Sequence, residues 1–331
     1  MMISSVLIEA RPRLRACNIC ITLKESVTSD LKISLQKMKI NLIKGDEKFL
    51  INFVGFEVEP LTMTGLSLKN KYITFRVQID CEFDSVVKKI ESVAAPLLNN
   101  TPNRIKCRCG NLLSKEIVFD RVLPLPSNNW DSTDVFCHAH GYKLPEITPR
   151  MNDCLYGNNF IMINDKIINN GEKFVKCNRC SKIIGVHQKD FLKIWTVNLI
   201  LPFENLSPLE EFLKLISNAV AESLSIFVKL LIECQEIDNY LLLCVMDKQL
   251  LLYEAEDDLI LKKRSAMKLS YSYHTSSNEN VKKWEDETFV QHLLVSQCVL
   301  TAGFEYLLRT SRKIPPLFNM ANGEFLAYLS N

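Results

Sequence analysis

Apolar and polar residues alternate through much of the first hundred positions. In YITFRVQI, Ile73, Phe75, Val77 and Ile79 point one way while Tyr72, Thr74, Arg76 and Gln78 point the other, the period-two pattern of a strand buried on one side. LKISL and FLINFV repeat it. Gly45, Gly55 and Gly65 fall between such runs, where turns call for positive φ. Residues 1–100 therefore read as an N-terminal antiparallel sheet or small barrel.

From 101 to 195 the pattern breaks up. Pro102, Pro124, Pro126, Pro145, Pro149 and many Asn residues interrupt it, and little regular structure is expected. Such a segment needs a staple other than an apolar core. Regularity returns with WTVNLIL, in which Trp195, Val197, Leu199 and Leu201 share one face of a predicted strand. A helix follows: Ser207 is an N-cap, Pro208 takes the first helical position, and Glu210 completes a capping box. Leu209, Phe212, Leu213, Ile216 and Val220 form its apolar stripe. SIFVKLLI, YLLLCVM and QLLLYEA are further strand candidates, a second helix is expected over about 288–309, and FLAYL reads as an edge strand. The acidic EAEDD and basic LKKR stretches read as a solvated loop and its flank. The fold class is thus α+β and β-rich, with divisions at 1–100, 101–195 and 196–331.

Composition narrows the setting. With 331 residues, 47% of them hydrophobic, the chain can bury a core. Its 40 Lys and Arg against 38 Asp and Glu leave a net charge of +2, which provides no electrostatic footprint for nucleic acid or an anionic membrane. Glu9 and three arginines interrupt the opening residues, so no secretory signal is expected. LLLCVM is far shorter than the roughly twenty residues that span a bilayer. Twelve cysteines in a non-exported chain are then core residues, metal ligands or nucleophiles rather than disulfides.

Cys177 and Cys180 have the C-x-x-C spacing with which two thiolates grip one face of a tetrahedral zinc ion. The partner pair is Cys107 and Cys109 in KCRCG, where Gly110 can take the turn conformation of a knuckle. Each pair precedes a short apolar run, Leu112–Leu113 and Ile183–Ile184. Two knuckles at the heads of strands would clamp one structural Zn2+. On an extended chain, however, Cys107 and Cys109 share a face without any turn, so the two need not both be ligands. Cys137, His138, His140 and Cys154 lie between the pairs and offer a replacement ligand or a second site. His187 reads as structural or surface. Cys17 and Cys20, on opposite faces of a strand-like run, and Cys298, in an apolar helix, read as core. Adjacent Cys137 and His138 also invite a nucleophile reading, because a neighbouring base can activate a thiol. No G-x-S-x-G, phosphate loop or H-E-x-x-H occurs.

RVLPLPSNNW at 121–130, FCH at 136–138, NDC at 152–154, KCNRCSKIIG at 176–185 and NGEFLAYL at 322–329 together resemble the HECT-like ubiquitin ligase family of ubiquitin-conjugating-enzyme-binding proteins, over nearly the whole chain. The resemblance implies a ubiquitin–protein transferase that binds a ubiquitin-conjugating enzyme, accepts ubiquitin as a thioester and passes it to substrate proteins in the cytoplasm or nucleus. Cys137, the one cysteine of these motifs beside a histidine, is then the expected nucleophile. At the first knuckle the family pattern is C-x-x-C-G, and here Lys106 stands where its first cysteine would be. CNRCSKIIG also looks like the second knuckle of zinc-bearing β-tent domains, which implies a β-tent-like central region. Fungal relatives are linked to the endonuclease of pre-mRNA 3′-end processing. That link implies the alternative of a non-catalytic, zinc-stabilised binding factor or chaperone for the nuclease. Neither reading calls for direct nucleic-acid or membrane contact.

Overall fold

The alternation in YITFRVQI becomes the strand Tyr72–Asp80 of the computed structural model, with Ile73, Phe75, Val77 and Ile79 buried on one face. Residues 3–27, 30–80, 95–125, 148–168, 172–202, 205–223, 225, 227–256, 259–316 and 318–330 are described. The chain divides into two units. Unit 1 comprises Met1–Val87, Cys244–Tyr271 and Leu307–Asn331, and unit 2 comprises Lys88–Leu243 and Ser272–Tyr306.

In unit 1 a run of paired strands is ordered Met320–Ala321, Glu324–Ser330, Lys262–Thr275 (through Tyr271), Asn239–Ala255 (from Cys244), Ile3–Arg11, Ala16–Leu23, Tyr72–Asp80 and Glu57–Lys69. Among the described residues its two ends are not joined, so the N-terminal part is a sheet and not a barrel. A three-stranded meander, Lys32–Gln36, Lys39–Lys44 and Glu47–Asn52, closes one face. Ile40, Leu42 and Ile51 of the meander pack with Ile8, Ile19 and Phe75 of the sheet in one core. Gly45 and Gly55 lie in turns as expected, but Gly65 sits inside the strand Glu57–Lys69 at φ +63, within the second of two register shifts, the one between Thr64 and Ser67.

Several expectations change. YLLLCVM and QLLLYEA form one strand, Asn239–Ala255; the polar Asp247 between them is held by Arg11 at 3.4 Å, so the polar interruption does not break the strand. The LKKR flank enters the strand Lys262–Thr275, where Arg264 pairs with Glu254 at 2.7 Å. FLAYL lies one place in from the edge, between Lys262–Thr275 and Met320–Ala321.

Unit 2 contains a six-stranded sheet ordered Arg121–Pro124, Asp153–Tyr156, Phe160–Asn164, Phe191–Trp195, Ile183–Gln188 and Phe174–Lys176. The central region therefore has both regular structure and a core, contrary to the expectation from its prolines. Runs such as FIMIN and FLKIW are simply too short to stand out against Pro and Asn, and pairing with neighbours completes them. Ile105, Phe119, Ile161, Ile184, Leu192 and Ile194 are buried together with Cys107 and Cys177. WTVNLIL is not one strand: it breaks into a 3₁₀ turn, Thr196–Asn198, and the short strand Leu199–Ile200. The helix Pro208–Glu222 has its capping box, with the Glu210 N–H donating to Ser207 Oγ at 3.3 Å and the Ser207 N–H donating to Glu210 Oε2 at 2.7 Å. Its buried side centres on Phe212, Leu215, Ile216 and Ala219, leaving Leu209 and Leu213 half-buried. The helix expected from 288 begins only at Gln297, because Val290–Leu294 pairs parallel with the buried strand Val228–Cys234.

Candidate metal centre

Four cysteine sulfurs, those of Cys107, Cys109, Cys177 and Cys180, lie within 4.8 Å of one another. Cys107 Sγ is 3.7 Å from Cys180 Sγ, and Cys109 Sγ is 3.6 Å from Cys177 Sγ. Zinc–thiolate bonds of about 2.3 Å in a tetrahedron place sulfurs about 3.8 Å apart. The donor set and its spacing therefore fit one tetrahedral ion, and all four cysteines are free of disulfides.

The backbone explains how a two-residue spacing suffices. The Gly110 N–H donates to Cys107 O at 2.8 Å and the Cys107 N–H to Asn111 O at 2.9 Å, closing a turn with Gly110 at φ +85. In the second knuckle the Ser181 N–H donates to Cys177 O at 2.8 Å and the Cys177 N–H to Lys182 O at 3.0 Å, with Ser181 at φ +57. Both turns thus place a left-handed residue directly after the second cysteine, and the first is one residue shorter. The displaced cysteine at 107 still reaches the cluster. Ile183 begins a strand after the second knuckle, whereas Leu112 only bridges back to Lys106.

Electrostatics favour charge on one member. Burial raises the Cys177 thiol, but the backbone N–H groups of Cys180 and Arg179, with the Cys109 and Cys180 thiols, bring it down to about 6. Cys107 is pushed up to about 12, chiefly by burial. Asn111 Nδ2 points at Cys177 Sγ from 3.6 Å, and Arg179 Nη1 donates to Cys109 O at 3.1 Å, tying the second knuckle to the first.

Asn198 is a residue that sequence reasoning missed. It is fully buried; its carbonyl accepts from the Arg108 N–H at 3.0 Å and its Nδ2 donates to Ile183 O at 3.1 Å, so it fastens both knuckles. A polar residue inside the apolar WTVNLIL was the available signal. Arg108 Nη2 donates to Leu206 O at 2.6 Å. Its charge also bears on Glu211, whose carboxyl burial pushes up to about 8 against the lowering pull of Thr196 and Arg108.

The other candidates stand apart. Cys137, His138 and His140 lie outside the described residues. Cys154 is buried in the strand Asp153–Tyr156, its thiol pushed up to about 12 by burial, and it does not join the cluster. His187 lies 3.8 Å from Asp165. Cys17 is buried and Cys20 half-buried in unit 1. Cys298 is half-buried rather than core: its sulfur lies 3.7 Å from Lys182 Nζ and 3.3 Å from Ser296 Oγ at the start of the helix Gln297–Ser311. The RVLPL and NDC segments meet directly, with Arg121 donating to Asp153 at 2.9 and 2.5 Å and Val122 paired with Cys154.

A family model described as HECT-like Ubiquitin-conjugating enzyme (E2)-binding matches residues 9–325. Among curated proteins, one named as an E3 ubiquitin-protein ligase of Mus musculus is 29% identical over 161 residues, 44% of each chain. The Rattus norvegicus protein of the same name is 34% identical over 83 residues, 23% of this chain and 22% of its own. The Homo sapiens protein is 36% identical over 58 residues, 17% of this chain and 15% of its own. The chain thus aligns with less than half the length of these relatives. No solved structure is a significant match.

Proposed function

The chain belongs to the HECT-like ubiquitin-conjugating enzyme (E2)-binding family, and from that premise we propose that it binds a ubiquitin-conjugating enzyme and promotes transfer of ubiquitin to substrate proteins. The family match over 9–325 carries this reading, and the ligase names of the aligned relatives agree with it. In the same proposal, Cys107, Cys109, Cys177 and Cys180 hold a structural zinc, which, when bound, supplies a crosslink and no chemistry of the transfer. Four protein sulfurs would complete the coordination of a tetrahedral ion and would leave it no position for a substrate. A ubiquitin thioester then requires another cysteine, and Cys137 is assigned that role on the motif that carries it.

The test mixes the purified chain with ubiquitin-charged conjugating enzyme and resolves the products on a non-reducing gel. A ubiquitin adduct that thiols remove, lost in Cys137→Ala and kept in Cys298→Ala, is the expected result. Binding of the conjugating enzyme with no adduct across a panel of such enzymes would instead leave a non-catalytic binding factor. The cytoplasm or nucleus, where thiols stay reduced, is the compartment this chemistry calls for.

A further inference from the structure

The outer face of the unit 1 sheet holds a cleft that neither the metal centre nor the family reading uses. Its volume is about 420 Å³, within the range of sites for small ligands and peptide side chains. Asn18, Thr74 and Arg76, on the adjacent strands Ala16–Leu23 and Tyr72–Asp80, contribute to its floor. The opposite wall is apolar, with Ile314, Phe318 and Met320. The edge strand is bulged on both sides of Thr64, which pairs with Arg76 beside the cleft.

Two features lack a complement. Phe318 and Met320 are 38% and 52% exposed, and the Arg76 guanidinium is exposed with no ion-pair or hydrogen-bond partner among the described residues. The acid at the inner end is, by contrast, fully engaged. Buried Glu9 accepts from Lys268 Nζ at 2.6 Å, from the Tyr328 hydroxyl and from Asn18 Nδ2 at 3.4 Å, and Arg11 Nη2 lies 3.5 Å away. Among the residues that line the cleft the one carboxylate, Glu9, thus stands against two cations, Lys268 and Arg76. The surplus charge is positive and its free member, Arg76, is exposed on the floor. A basic ligand is disfavoured there, and a purely apolar one leaves Arg76 unanswered.

We propose that this cleft receives a short peptide segment in which a carboxylate side chain lies next to an apolar one, the carboxylate on Arg76 and the apolar side chain against Phe318 and Met320. Resting on the ligase reading above, the segment belongs to the substrate protein, so the cleft selects what is ubiquitinated. The binding itself requires no ubiquitin transfer. A missing thioester adduct and a missing peptide complex are therefore separate results.

Fluorescence anisotropy with the full chain tests this, using labelled hexapeptides capped at both ends that carry one glutamate flanked by leucines, and their glutamine and lysine counterparts. The glutamate peptide should saturate in the micromolar range and the glutamine peptide should bind at least about tenfold more weakly. Arg76→Gln should equalise the two, and Met320→Ser should weaken both; each position is exposed, so folding is not at stake. Equal binding of the glutamate and glutamine peptides to the natural chain, or no saturation by roughly 1 mM, overturns the proposal. Displacement of the peptide by an equal concentration of octanoate also overturns it, by assigning the site to free acids.

Discussion

A single residue separates Cys107 from Cys109 where two separate Cys177 from Cys180, yet each pair closes a turn through its own backbone hydrogen bonds. The C-x-x-C pair and Gly110 were legible because spacing and a positive φ are local properties. Whether both members of the shorter pair, Cys107 and Cys109, reach the cluster depends on contacts 73 and 68 residues apart, and the place of Asn198 on its bonds to Arg108 and Ile183; neither is open to a local reading. At this scale Cys180→Ser should reduce bound zinc from about one ion per chain to near none by elemental analysis, since three thiolates and a hydroxyl make a far weaker site. Metal-free, fully folded natural protein would end the zinc assignment. Glu211 offers an independent test. Its Oε1 is buried with no hydrogen-bond partner among the described residues. Because its folded pKa is raised to about 8 from an ordinary 4.5, its stabilising contribution is complete below 4.5 and lost as pH rises through about 8. Glu211→Gln should therefore flatten the fall in melting temperature over that window; an unchanged slope would show that another group is responsible.

Among the elements, the helix Pro208–Glu222 was the most legible because its cap, first-turn proline and apolar spacing agree. Removing the cap side chain with Ser207→Ala should cost about 1 kcal/mol in chemical denaturation. Elements defined by partners were less legible. Val290–Leu294 is a strand only because Val228–Cys234 lies beside it, and the joined strand Asn239–Ala255 continues through Asp247 because Arg11 pairs with that residue. Close packing between elements also explains two glycines that no local pattern marked. A Cβ at Gly185 would stand 2.3 Å from the Lys193 carbonyl oxygen on the neighbouring strand, and one at Gly303 would stand 2.3 Å from the Phe212 ring. The first obstacle is backbone and cannot rotate away. Gly185→Ala should cost on the order of 2 kcal/mol or more, whereas Gly303→Ala meets a side chain with some freedom and should cost less. Equal losses in matched denaturant titrations would contradict the distinction.

At the scale of the whole molecule, each unit is assembled from separated stretches of chain, an arrangement that local alternation and spacing cannot reveal. Within unit 2 one part is nonetheless continuous in sequence. All four cysteines, the six-stranded sheet and the core running from Leu97 to Leu199 fall between residues 95 and 202. A metal there joins positions 73 and 68 residues apart, and a crosslink closing a loop of that length restricts the unfolded chain by about 4 kcal/mol on the chain-entropy account. The apolar core contributes as well, so an ion bound there would reinforce a fold rather than replace one. A fragment of residues 95–202 should accordingly be soluble, carry about one zinc and unfold cooperatively. Chelation should lower its melting temperature markedly and leave residual β structure by circular dichroism. A fragment that collapses to a random coil without metal would mean that the clamp, and not the sheet, holds this region; one whose melting ignores the chelator would mean that the four sulfurs hold nothing.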